Sequence, residues 1–90
     1  MLTIRIYSSF KKDYKRIEKR GYDVRKLNKV IDLLANEKPL PEKYKDHPLA
    51  GGYVGCRKCH IAPDWLLIYE IDKNELLLLL TRTGTHSDLF

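Results

Sequence analysis

The chain has 90 residues and is expected to form one domain, 1–90, with one modest core. So short a chain buries only about 60–65% of the surface that its unfolded form exposes. Hydrophobic residues make up 43% and charged residues 32%, a globular composition that excludes a disordered chain. The longest apolar run, Leu76 to Leu80, is far shorter than the roughly 18 residues of a membrane span. No signal peptide is recognisable either. We therefore expect a cytoplasmic protein that does not contact a membrane.

Charge is distributed unevenly along the chain. Residues 1–45 contain 13 Lys or Arg and 6 Asp or Glu, a balance of +7, whereas residues 46–90 contain 4 and 6, a balance of −2. All three histidines, the side chains that titrate near neutral pH, lie in the second half. The net charge of +5 therefore predicts an acidic partner, either nucleic acid or an acidic protein, that is attracted to the first half.

The chain is predicted to begin with a strand that leads into a helix. Leu2, Ile4 and Ile6 alternate with polar residues, which is typical of a strand with one buried face. Ser8 or Ser9 is expected to cap the following helix by accepting a hydrogen bond from a free backbone N–H.

Two amphipathic helices are predicted next, separated at Gly21, which adopts positive φ at low cost, and with Asp23 as the cap of the second helix. Their apolar stripes are Phe10, Tyr14 and Ile17 in the first helix and Val24, Leu27, Ile31 and Leu34 in the second, with Val30 at the edge. The basic residues on the opposite half of the first helix are Lys11, Lys12, Lys15, Arg16, Lys19 and Arg20. The pattern predicts a helical hairpin with a solvated basic back.

The second half is predicted to be a loop followed by strands. Residues 36–52 are rich in proline and glycine and are expected to form a loop. Strands are predicted at about residues 53–61, 65–71 and 75–82, with a turn at 72–75. The order β-α-α-β-β-β predicts an α+β domain in which a small four-stranded sheet carries the helical hairpin on one face. The other face is left for a cleft or a partner.

Residues 56–60 read C-x-x-C-H, which matches the pattern for haem attachment. We reject haem because no distal methionine is available and because Cys56 and Cys59 would point to opposite faces of a strand. A zinc site with His60 and a distant histidine, or a redox role, remains a weaker alternative to ordinary strand cysteines.

Three segments together resemble a known family. They are Y-K-D-H-P-L at residues 44–49, H-x-x-P-D-W-x-L-x-Y at residues 60–69 and R-T-G-T-H-x-x-L-F at residues 82–90. In this order, and over essentially the whole chain, they resemble the YafQ-type toxins of the RelE/ParE superfamily. The resemblance implies the toxin of a type II toxin–antitoxin system, an endoribonuclease that cuts mRNA in the ribosomal A site without a metal or other cofactor.

The resemblance also implies partners. A cognate antitoxin with an acidic segment would neutralise the toxin, and the toxin would reach operator DNA only through the antitoxin complex. Ribosomal RNA would be a further contact of the toxin in the A site.

The catalytic positions that the resemblance implies are His47, His60, Asp64 and His86. Histidine serves as acid or base near neutral pH, and we expect His86 to be the general acid and His60 the base or its partner. Asp64 would orient a neighbouring histidine or raise its pKa, and His47 would contact the phosphate or share in proton transfer.

Four further residues match substrate-binding positions of the family. Arg57 and Arg82 would face the phosphate and stabilise developing charge. Trp65 would contact the substrate, with a core position as the alternative. The Phe90 ring would stack on a nucleobase, or else would anchor the tail to the core.

Two other functions remain open from the sequence. A non-catalytic ParE-like toxin would share the fold, although that branch lacks this set of histidines. A basic nucleic-acid-binding regulatory domain would bind RNA or DNA in a salt-dependent way without cleavage.

Overall fold

The computed structural model describes residues 1–90 and has the predicted α+β architecture. One sheet has the strand order β1-β5-β4-β3-β2, in which β1 runs parallel to β5 and the other neighbours are antiparallel. The elements are β1 (Thr3–Ile6), α1 (Ser8–Lys19), α2 (Val24–Ala35), β2 (His47–Pro48), β3 (Arg57–Ala62), β4 (Trp65–Asp72), β5 (Leu77–Gly84) and α3 (His86–Leu89), with single 3-10 turns at Glu42–Tyr44 and Gly51–Tyr53.

The sheet has five strands rather than the predicted four, because two residues of the proline-rich segment pair with β3. His47 lies opposite Lys58 and Pro48 lies opposite Arg57. Proline lacks a backbone N–H and normally argues against a strand, but it is tolerated on an edge strand such as this one. The short strand matters because it brings His47 alongside β3.

The helical hairpin follows the predicted pattern. Phe10 and Ile17 of α1 and Leu27 and Leu34 of α2 are buried, and Asp23 caps α2 by accepting a hydrogen bond of 3.1 Å from the backbone N–H of Arg25. The apolar stripes lie on the sheet and form the larger core, because burying one apolar face against a sheet removes most of a helix's hydrophobic area from water.

Two local predictions at the start of the chain are wrong. Ile4 and Ile6 are 42% and 46% exposed, because β1 is an edge strand and the helices do not cover its side chains fully. No serine caps α1, since the N-cap is Tyr7 without a side-chain hydrogen bond, and Ser9 instead donates to the carbonyl oxygen of Thr81 at 2.8 Å.

The tail forms a short helix that the sequence analysis did not predict. Thr85 is the N-cap of α3 and makes a capping box with Asp88, in which each side chain accepts from the other residue's backbone N–H. Leu89 packs with Leu66 and Ile68 on the sheet face opposite the helical hairpin. The face that was expected to be open is therefore partly covered, and α3 is held against it.

No helix has the length and apolar composition that crossing a membrane would require.

Candidate active site

The C-terminal helix presents His86 beside the β3–β4 turn. His86 is the first residue of α3, and Asp64 lies in the turn between β3 and β4. The Asp64 Oδ1 atom is 2.9 Å from His86 Nδ1 and accepts a hydrogen bond of 3.1 Å from the His86 backbone N–H. These bonds, with the imidazole as the chief cause, hold the pKa of Asp64 below its ordinary value.

The Asp64 contact sets the orientation of the imidazole. An ionised carboxylate can only accept hydrogen bonds, so Nδ1 of His86 carries a proton and Nε2 is the nitrogen that faces away from Asp64. This arrangement makes Nε2 the atom through which His86 exchanges a proton with a ligand. The sequence-based expectation that Asp64 orients a histidine agrees with this geometry.

His60 is the second histidine of the site. Its ring lies on β3 with its centroid 6.0 Å from that of His86. Burial lowers the pKa of His60, and the positive charges of Lys58, His86 and Lys45 lower it further. A histidine in this environment is neutral at neutral pH and is suited to accept a proton.

Phe90 lies on the other side of His86. Its ring is 62% exposed, its centroid is 6.3 Å from that of His86, and it meets the Tyr53 ring edge-on at 5.6 Å. The Lys58 ammonium lies 5.4 Å from the centre of the Phe90 ring. The tail is anchored by Leu89, which is 6% exposed, so the Phe90 ring itself remains accessible to a ligand.

His47 is exposed on the edge strand β2, opposite Lys58, and its Nδ1 atom is 3.1 Å from the carbonyl oxygen of Pro48. The strand pairing places His47 close to His60, because residues 58 and 60 are two apart on the same strand. It is therefore at the border of the site.

Each of the two expected phosphate-binding arginines is held by a carboxylate. The Asp46 Oδ2 atom is 3.1 Å from Nε and 2.9 Å from Nη2 of Arg57. Asp13, which is 2% exposed, accepts bonds of 2.6 Å from Nε and 3.2 Å from Nη2 of Arg82. These bonds fix both guanidinium planes.

The expectation that Trp65 contacts the substrate is corrected. Its side chain is 3% exposed, its indole N–H donates a 3.0 Å hydrogen bond to the Thr83 hydroxyl, and its ring meets Tyr22 edge-on at 5.1 Å. A large apolar ring with one satisfied polar atom is typical of a core position. The core alternative that the sequence left open is the one that the structure supports.

The C-x-x-C-H pattern has no chemical counterpart in the structure. Cys59 is fully buried in the helix-side core, and burial raises the pKa of its thiol to about 12, which makes it unreactive. Cys56 packs in the smaller cluster on the opposite sheet face, as strand alternation predicts. No group of three or more His, Cys, Asp or Glu side chains is arranged to hold a metal ion.

A set of ion pairs behind the site was missed by the sequence analysis. Arg20, the C-cap of α1, donates to both carboxylate oxygens of Asp88 at 2.7 and 3.1 Å, and Arg16 pairs with both Asp88 and Asp13. The capping-box pattern T-x-x-D at residues 85–88 is a sequence signal for this helix. The pairing of Asp13 and Asp88 with arginines has no such signal, because the partners come from distant parts of the chain.

The assembled site can perform acid–base chemistry on a phosphodiester. It offers a neutral imidazole as proton acceptor and, with its ring centroid 6.0 Å away, a second imidazole oriented by a carboxylate as proton donor. These are the groups that cleavage of RNA by its own 2′-hydroxyl requires.

Similarity to known proteins extends over nearly the whole chain. The model of the YafQ toxin family, a bacterial toxin of type II toxin–antitoxin systems, matches residues 2–90. The mRNA interferase toxin YafQ of Escherichia coli K12 is 48% identical over 82 residues, which cover 90% of this chain and 87% of the relative.

Solved structures show the same fold over the full chain. A metal-bound toxin from Helicobacter pylori is 52% identical with a TM-score of 0.94, and each chain is covered completely. YafQ in the Escherichia coli DinJ–YafQ complex is 44% identical with a TM-score of 0.91, covering 100% of this chain and 99% of that one. With a family match over residues 2–90 and relatives of this similarity, the chain belongs to the YafQ family of toxins from type II toxin–antitoxin systems.

Proposed function

We propose that this YafQ-family toxin is an endoribonuclease that cuts mRNA by acid–base catalysis at His60 and His86. The observation that carries the proposal is the pair of imidazole rings 6.0 Å apart, one with a lowered pKa and the other hydrogen-bonded to Asp64. The 48% identical relative from Escherichia coli is named an mRNA interferase, which supports the same activity here.

The proposed reaction uses His60 as the proton acceptor and His86 as the proton donor. His60 takes the proton of the 2′-hydroxyl, and the 2′-oxygen attacks the adjacent phosphorus. A bond from phosphorus to the 2′-oxygen forms as the bond to the 5′-oxygen breaks, and His86 gives its Nε2 proton to that leaving oxygen. The upstream fragment then ends in a 2′,3′-cyclic phosphate and the downstream fragment begins with a 5′-hydroxyl.

The remaining site residues bind and stabilise. The guanidinium groups of Arg57 and Arg82 stabilise the charge that develops on the phosphate oxygens, and His47 contacts the phosphate from the edge strand. The exposed Phe90 ring stacks on a base beside the cut, a contact worth about 1–3 kcal/mol in single-strand binding.

The setting of the reaction is also a proposal. The substrate is mRNA in the ribosomal A site, where the ribosome holds the chain in a reactive geometry, and the location is the cytoplasm. A cognate antitoxin with an acidic segment neutralises the toxin, as the DinJ–YafQ complex of the relative supports. Operator DNA is reached only through that antitoxin complex.

The test is mRNA cleavage in a translating extract by wild-type protein and by His86→Ala. We expect loss of the acid to slow cleavage by about 10²- to 10⁴-fold. The matched control is Ser87→Ala, which changes the next residue of the same helix and makes no side-chain hydrogen bond, and which should cut like wild type. Thermal unfolding checks that all three proteins are folded.

Three outcomes would contradict the proposal. Cleavage by His86→Ala at the wild-type rate would remove the acid from the mechanism. Growth arrest with intact mRNA and altered DNA supercoiling would favour a ParE-like toxin, and salt-dependent RNA binding without cleavage would favour a binding domain.

A further inference from the structure

The two kinds of basic side chain are used differently in this protein. Arginines 16, 20, 25, 57 and 82 are ion-paired with aspartates, whereas none of the lysines lies in an ion pair. The charges of these five arginines are thus balanced by carboxylates within the molecule. Apart from Arg5, the basic side chains without an ion pair are lysines.

Four lysines from two separate segments border one open concavity. Lys26 and Lys29 are one turn apart on α2, and Lys43 and Lys45 flank the buried Tyr44. The concavity has a volume of about 530 Å³ and also touches His60 and the residues that follow it, 61–63. We call it the lysine groove.

The groove begins at the candidate active site. The strand β2 pairs only with residues 57 and 58 of β3, so the edge of β3 from His60 onward is not covered by a strand. His60 therefore belongs both to the histidine pair and to the wall of the groove. A chain molecule bound at His60 would therefore meet a concavity that the four lysines also line.

The backbone at Lys45 indicates that its position is maintained at a cost. Lys45 has φ 48 and ψ 47, a left-handed conformation that glycine or asparagine adopts more easily than lysine does. The side chain placed there adds to the positive charge that acts on His60.

We propose that the lysine groove binds the phosphate backbone of single-stranded RNA next to the cleavage point, an inference that rests on the proposed function. Unpaired ammonium groups bind phosphates as point charges without requiring a particular base. An acidic peptide fits less well, because peptide binding needs apolar anchor positions. Those lie in a different groove, formed by Ile4, Ile6, Phe10 and Ile31.

The test measures binding of a short fluorescein-labelled 2′-O-methyl RNA at several KCl concentrations. This probe lacks the free 2′-hydroxyl, so wild-type protein cannot cut it. The variants are Lys26→Gln/Lys29→Gln and Lys43→Gln/Lys45→Gln. Each lost phosphate contact lowers the slope of log Kd against log salt by about 0.7 for a single strand, so each pair should lower it by about 1.4.

The matched control is Lys38→Gln/Lys73→Gln, which also removes two exposed lysines. Lys38 follows α2, whose last residue is hydrogen-bonded to Leu2, and Lys73 lies shortly before β5, which begins at Leu77. Both lysines are at the opposite end of the sheet from His60. The control should bind the probe with the wild-type slope. An equal fall in slope for the control and the groove variants would show that only net charge matters and would overturn the proposal.

Four other results are decisive. No measurable binding by the wild type at low salt, or unchanged binding by both groove variants, would contradict the groove even if mRNA is cut. Loss of antitoxin binding with an unchanged RNA slope would assign the groove to the antitoxin. Groove-dependent RNA binding by a protein that cuts no mRNA would contradict the proposed function and leave the groove assignment standing.

Discussion

At the scale of single residues, two histidines of the same type acquire different roles from their surroundings. Asp64 keeps a proton on Nδ1 of His86 and leaves Nε2 for the substrate. His60 is partly buried and faces positive charges, so its pKa is lowered and it is neutral at neutral pH. These different environments support the proposal that His86 donates a proton and His60 accepts one.

The role of His60 as base predicts a change in pH dependence in Lys58→Gln. Burial is the largest cause of the lowered pKa and the Lys58 charge is the next, so removing that charge raises the pKa of His60 toward its ordinary value. The base is active only when deprotonated. The acidic limb of the cleavage–pH profile should therefore move to higher pH, with activity lost at about pH 6 more than at about pH 8.

The profile is measured on mRNA-programmed ribosomes under single-turnover conditions. Lys73→Gln removes an equal charge at the far end of the β4–β5 hairpin and should keep the wild-type profile. A Lys58→Gln profile that is lowered evenly at every pH would show that Lys58 acts on substrate binding and not on the base.

At the scale of elements, the helix α1 braces the helix that carries His86. Arg20 and Arg16 reach from α1 to Asp88, and Asp88 closes the capping box of α3 with Thr85. Arg20 is the chief cause that holds the pKa of Asp88 well below its ordinary value. The carboxylate consequently stays charged, and the brace persists, over the pH range of any cleavage assay.

The brace predicts that Asp88→Asn loosens α3 without unfolding the protein. The amide keeps the size of the side chain and loses the charge that attracts the arginines. We expect faster amide hydrogen exchange at residues 86–90 and cleavage slower by about tenfold to a hundredfold, because small displacements of a catalytic group are costly. The midpoint of thermal unfolding should change little, since the larger core is untouched.

Arg25→Gln is the control for this experiment, because it also breaks an exposed ion pair with an aspartate, at the start of α2. It should leave hydrogen exchange in α3 and cleavage at wild-type levels. Normal exchange and normal activity in Asp88→Asn would show that Leu89 alone holds the tail.

At the scale of the whole molecule, the sequence predicts what local patterns encode. The hairpin α1–α2, the cap at Asp23 and the strands after residue 56 follow from apolar periodicity and capping chemistry. The positions of His60, Asp64 and His86 follow from the resemblance to a family. The structure adds that these residues come from a strand, a turn and a helix that meet at one end of the sheet.

What the sequence does not predict depends on contacts between distant residues. Asp13 and Arg82 are 69 positions apart, and no local pattern links them. The burial of Trp65 and the exposure of Ile4 depend on which strand is central and which is at an edge. Which basic residues of the first half are ion-paired also depends on distant contacts, because Arg16 and Arg20 pair with Asp88 whereas the lysines have no ion pair.

The central claim is that the protein cuts RNA by attack of the 2′-hydroxyl with two histidines as base and acid, and the chemistry of the cut ends tests it most directly. Fragments from wild-type cleavage on the ribosome are isolated and both termini at the cut are identified. The account predicts a 2′,3′-cyclic phosphate, or the phosphate from its opening, upstream and a 5′-hydroxyl downstream. A 3′-hydroxyl upstream with a 5′-phosphate downstream would mean that water attacked the phosphate, and would contradict the account.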